Sequence, residues 1–114
     1  MKAILFILAL LALSEEVNAS CLHEADSLFS RALQSRGDRF LASEFKLGSE
    51  VREAISESDL LSLLEKRELE KLDASGSYEL YLVAASHAGR DYLEMMVIHR
   101  YSCEIARSFR IFSE

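Results

Sequence analysis

The sequence predicts an all-α domain, a small bundle of five or six helices held by a disulfide. Three observations carry that prediction. The chain has no proline and four glycines, and each glycine is followed, at once or one residue on, by a residue suited to start a helix. Apolar residues near both ends of the domain recur at helical spacing. Two cysteines, Cys21 and Cys103, stand far apart along the chain, where a bond between them would close most of the domain into one loop.

The elements follow in order. Met1-Lys2 is a short positive start, and residues 3–13 form an unbroken apolar run. That run is shorter than the roughly 20 residues a bilayer span needs and fits the apolar centre of a secretory signal. Val17-Asn18-Ala19 supplies small or β-branched residues at −3 and −1. Cleavage is therefore expected after Ala19, with Ser14 as the alternative. Asn18, where a lipoprotein signal wants leucine, argues against lipidation of Cys21. The expected organisation is a cleavable signal peptide over 1–19 and a single small helical domain over 20–114.

Within that domain the expected helices are 21–35, 39–47, 50–56, 59–74, 78–88 and 92–112. Leu22, Ala25, Leu28, Phe29, Ala32 and Leu33 fall on one stripe of the first, with Cys21 inside it. Gly37 with Asp38, Gly48 with Ser49, Gly76 with Ser77, and Gly89 with Asp91 are read as helix ends followed by the N-caps of the next helices. Asp91-Tyr92-Leu93-Glu94 has capping-box spacing. The apolar phase shifts between Val51-Ala54-Ile55 and Leu60-Leu61-Leu64, so a break with Ser58 as cap is expected there. Ile98, Tyr101, Ile105, Phe109 and Phe112 share one face of the last helix. The alternative is an α+β fold with a C-terminal β-hairpin. Residues 78–85 and 92–101 are rich in aromatic and β-branched residues and flank a turn at His87-Ala88-Gly89-Arg90.

Composition narrows the function classes. The formal net charge of −6 argues against nucleic acid or an anionic membrane as partner. Past the leader, no run is long enough for stable membrane insertion. Export to a secreted or periplasmic location makes Cys21–Cys103 a disulfide by default, and a bridge between two chains of a homodimer is the alternative.

Four constellations bear on chemistry. Arg36-Gly37-Asp38 spells an adhesion tripeptide, although the same residues suit a helix end and the next cap. Met95, His99 and Cys103 are spaced i, i+4, i+8 and, with His23, offer soft ligands for copper(I) or zinc. A disulfide would remove the thiolates from that set. His23, His87 and His99 are scattered singly, and His87 is expected in the last turn of a helix. The run Glu65-Lys66-Arg67-Glu68-Leu69-Glu70-Lys71 alternates in sign, as a solvated helix face does.

Sequence signatures of nucleophilic, dinucleotide or phosphate-loop chemistry are absent. The expected function is that of an exported, non-enzymatic protein-binding domain such as an inhibitor, an immunity protein or an interaction module. No catalytic residue and no cofactor is expected. A small-molecule or soft-metal carrier using the bundle interior is the alternative.

Overall fold

The computed structural model describes residues 21–45 and 49–113. The expected signal peptide and the cap at Gly48 lie outside the described residues. A 3-10 turn at Leu22–Glu24 leads into α1 (Ala25–Ser35), followed by β1 (Arg39–Phe45), α2 (Ser49–Glu57) and α3 (Leu63–Ser75). Three strands complete the chain: β2 (Tyr78–His87), β3 (Arg90–His99) and β4 (Ile105–Ser113). The strands form one antiparallel sheet in the order β1-β2-β3-β4. The fold is α+β, which overturns the all-α bundle. Of the expected helices, residues 39–45 and 78–87 are strand, and 92–112 covers parts of two strands and the turn that joins them.

The reason lies in the layers. Helix α1 packs on one face of the sheet, where Ala25, Phe29 and Leu33 meet Tyr81, Val83, Ala85, Tyr92, Met96 and Ile98. Helices α2 and α3 cover part of the other face, where Val51, Ile55 and Leu69 meet Leu80, Met95, Val97, Phe109 and Ile111. Strands β2 and β3 are therefore buried on both sides. A strand in that position reads as a continuous apolar run, and the two-residue alternation that would betray it is erased. The face of Ile98, Tyr101, Ile105, Phe109 and Phe112 is not a helix stripe: Ile98 and Ile105 serve the α1-side core, whereas Phe109 and Phe112 serve the other.

The glycine punctuation holds at two helix ends and fails at the hairpin. Gly37 follows the last turn of α1, and Gly76 ends α3 in the left-handed conformation at φ 77°. Each is followed by a strand. Ala88 and Gly89 have φ 53° and 81°, the pair of positive values that a two-residue type I′ hairpin turn requires. Asp91–Glu94 is thus strand, not a capping box. The capping box belongs to α3, where the Glu65 amide donates to Ser62 Oγ at 3.2 Å and the Ser62 amide to Glu65 Oε1 at 3.1 Å. Ser58 caps the turn before it, accepting from the amides of Leu60 and Leu61.

The disulfide is present, with Cys21 and Cys103 Cα atoms 5.4 Å apart. It pins the start of the α1 segment to the β3–β4 connection, so the bond is within the chain.

Candidate functional site

Two arrangements stand out at the hairpin end of the sheet, one on each face. On the α1 face a polar network closes the core. Tyr92 and Glu94, two apart on β3, point to the same side. Arg36, at the end of α1, grips the Glu94 carboxylate with both terminal nitrogens, at 3.2 and 2.9 Å. Arg36 also donates to the Tyr92 hydroxyl at 3.2 Å, and that hydroxyl donates to Asp38 Oδ2. His87 Nδ1 lies 2.6 Å from Asp38 Oδ1, and the Arg110 guanidinium stacks 3.9 Å from the centre of the Tyr92 ring.

The electrostatics follow from this geometry. Glu94 and Asp38 side chains are only 5 % and 6 % exposed, so each needs polar partners where it lies. The Tyr92 hydroxyl, aided by His87 and Arg36, holds the Asp38 carboxyl below the usual carboxylate range against the opposing effect of burial. The bidentate Glu94 contact raises Arg36 above its ordinary value. Burial, and then the bond to Asp38, raises Tyr92. The set thus pairs the Asp38 and Glu94 carboxyl groups with the Arg36 guanidinium and the Tyr92 phenol. That is the chemistry of a clamp between the α1–β1 turn and strands β2 and β3. The adhesion tripeptide is spent in it: Arg36 and Asp38 are both engaged with the sheet. A third buried carboxylate closes the other end of the α1 face, where the Tyr81 hydroxyl donates to Glu79 at 2.7 Å and Arg100 lies 3.7 Å away.

On the opposite face the helices stop short of the hairpin and leave a groove. Its floor is a single row across the sheet. Ala42 pairs with Ala84, Ala84 with Leu93, and Leu93 with Phe112. The register slips between Phe40 and Ala42, so Leu41 is an extra residue on the edge strand. The slip lets Phe40 reach the α1-side core while Leu41 joins Ala84, Leu93 and Phe112 around a cavity of about 310 Å³. A second slip between the partners of Leu93 and Glu94 leaves Ile111 as the extra residue of β4. It turns Phe112 to the same face as Phe109 and Ile111. Bulges re-aim side chains in this way, and here one on each outer strand furnishes an end of the groove.

Helix α2 borders a second hollow beside the groove. Glu50, Glu53, Ala54 and Glu57 line this hollow of about 330 Å³ with Leu82 and with Phe112, the residue it shares with the groove. The three glutamates are exposed and spaced i, i+3, i+7, which places them on one stripe. Asp91 stands at the groove's hairpin side. The site is thus an apolar floor between carboxylates.

The soft-ligand set does not converge. Met95 is buried in the α2/α3-side core, His99 stacks 5.0 Å from the Tyr78 ring, Cys103 is in the disulfide on the α1 side, and His23 is exposed on the 3-10 turn. Among the described residues no group of three or more His, Cys, Asp and Glu is placed to hold a metal ion. The groove and the Glu94 network were missed by the sequence reading. The signal available for the network was Tyr92 and Glu94 at the two-residue spacing of a strand; the groove row joins four strands and has no local signature.

No protein-family model, curated protein or solved structure matches this chain.

Proposed function

We propose that the protein is an exported, non-enzymatic binding domain whose groove receives a basic, apolar segment of another protein. The observation that carries this reading is the pairing of an apolar row, Leu41, Ala84, Leu93 and Phe112, with a stripe of three exposed glutamates beside it. Apolar surface supplies the free energy of association, and the flanking carboxylates select a cationic partner and repel acidic ones. The overall charge of −6 acts in the same direction. The leader-like residues 1–19 and the disulfide support export.

The test is a titration of the isotope-labelled protein with short synthetic peptides of leucine and lysine, set against the same peptides with glutamate in place of lysine. The basic series is expected to shift the amide signals of Ala84, Leu93 and Phe112, and Leu93→Ser should weaken it severalfold. Equal binding of the acidic series, or shifts scattered away from the groove, would overturn the reading. A small-molecule carrier is the second reading. It is favoured by the volume of about 310 Å³, at the lower end of small-molecule sites.

A further inference from the structure

Resting on the groove reading, we infer that the occupant is an amphipathic α-helix lying parallel to α2, with its basic residues at the spacing of Glu50, Glu53 and Glu57. Three features of the fold lead there. The first is direction. Helix α2 follows β1 in sequence and ends over β4, where the hydroxyl of Ser58 donates to the Ile111 carbonyl at 2.7 Å. It therefore crosses the strands, and the row Leu41, Ala84, Leu93, Phe112 crosses them too, one residue from each of β1, β2, β3 and β4. Groove and helix run side by side.

The second is size. Three interstrand spacings make the floor about 14 Å long, and the nine residues of α2 span about the same length at 1.5 Å each. The open part of this face thus matches one more helix of about three turns, completing a layer that α2 and α3 only half cover. The third is the state of the sheet edges. An extended partner would have to add to β1 or β4 to satisfy its backbone. Near the groove both edges are bulged, β1 at Leu41 and β4 at Ile111, which interrupts the ladder a new strand would need. A helix satisfies its own backbone and needs only side-chain contacts. Its lysines or arginines at i, i+3, i+7 would meet the glutamate stripe as facing helices in coiled coils do.

Three peptides of about 12 residues separate the possibilities. One is a lactam-bridged helix with leucine on one stripe and lysine at i, i+3, i+7. Another has the same composition in strict Leu/Lys alternation, which is amphipathic only when extended. The last is the bridged helix with glutamate for lysine. Calorimetry with the disulfide-bonded protein is expected to show the basic helix binding at least about tenfold more tightly than the alternating peptide, with no detectable binding of the acidic helix. The triple variant Glu50→Gln, Glu53→Gln, Glu57→Gln should weaken the basic helix by about tenfold at low salt. Its unfolding midpoint should stay unchanged, since these side chains are exposed. If the alternating peptide binds as tightly and shifts the same groove residues, the helix inference falls and the groove reading stands. If neither basic peptide reaches Ala84, Leu93 and Phe112, both fall. A concentration-dependent dimer that shifts those residues without peptide would make a second copy of the chain the occupant and overturn the inference.

Discussion

Glu94 has a hydrophobic address and an ionic side chain, and the two are reconciled by Arg36. The carboxylate lies on the α1 face among Val83, Met96 and Tyr92, with Val83 directly across the strand pair. Removing the guanidinium while keeping the aliphatic stem, Arg36→Met, leaves that charge buried. It should destabilise the protein by about 2 kcal/mol in urea unfolding, less than for a fully enclosed pair because Arg36 is 38 % exposed. Asp38 makes a pH prediction. The Tyr92 hydroxyl holds its folded pKa below the ordinary carboxylate range, so its contribution is complete above that range and is lost as pH falls through the folded pKa. Stability should therefore decline with acid below about pH 4, and Asp38→Asn should flatten that decline while lowering stability at neutral pH. A decline of equal steepness in the variant would remove Asp38 from the account. Arg36 and Asp38 were visible in the sequence as a pair, but their partners were not. A side chain's role in a network depends on what lies across the sheet, and Tyr92 and Glu94 are more than fifty residues away.

At the scale of the elements, what could be read was whatever depends on neighbours in sequence. Helices α1 and α2 each bury one stripe and expose the rest, so their periodicity survives. All three helices lie close to their expected positions, although α3 buries only Leu69 and leaves Leu63 and Leu64 exposed. The strands lost their signature for two reasons. Burial of both faces made β2 and β3 largely apolar apart from Glu79 and Glu94, and the bulges at Leu41 and Ile111 shifted the phase of the outer strands. The Gly89 position carried a true signal attached to the wrong element, because a helix end and a type I′ turn both demand positive φ. Gly89→Val should accordingly destabilise by about 1–2 kcal/mol. An alanine at Ala88, already at φ 53°, leaves the turn no slack to absorb a β-branched neighbour. Ser62→Ala, which removes the α3 cap, should cost about 1 kcal/mol. Thermal unfolding followed by far-ultraviolet circular dichroism measures both. The folded spectrum should itself be that of a mixed α/β protein.

Over the whole molecule, the sheet is a partition between two cores that share no helix. The α1-side core is closed at one end by Arg36 with Glu94 and at the other by the disulfide beside Glu79 and Arg100. Among the described residues the α2/α3-side core has no disulfide and no buried carboxylate pair closing it, and it opens into the groove. Covalent bracing thus sits on the face away from the groove. The bond spans 82 residues of sequence. On the chain-entropy account a loop of that size should stabilise by about 4 kcal/mol, a large share of what a domain this small possesses. Cys21 is fully buried whereas Cys103 is only partly buried, so a reductant approaches the bond from the β3–β4 connection. Once reduced, the protein should unfold at markedly lower urea concentration. The loss should fall first on amide protection in α1 and the β3–β4 connection, before α2 and α3 are affected. Non-reducing electrophoresis should show a monomer without free thiol before reduction. Hydrogen exchange after reduction should then separate the two cores. If protection falls equally in α3 and α1, the sheet couples its two faces and the division of labour between them is wrong.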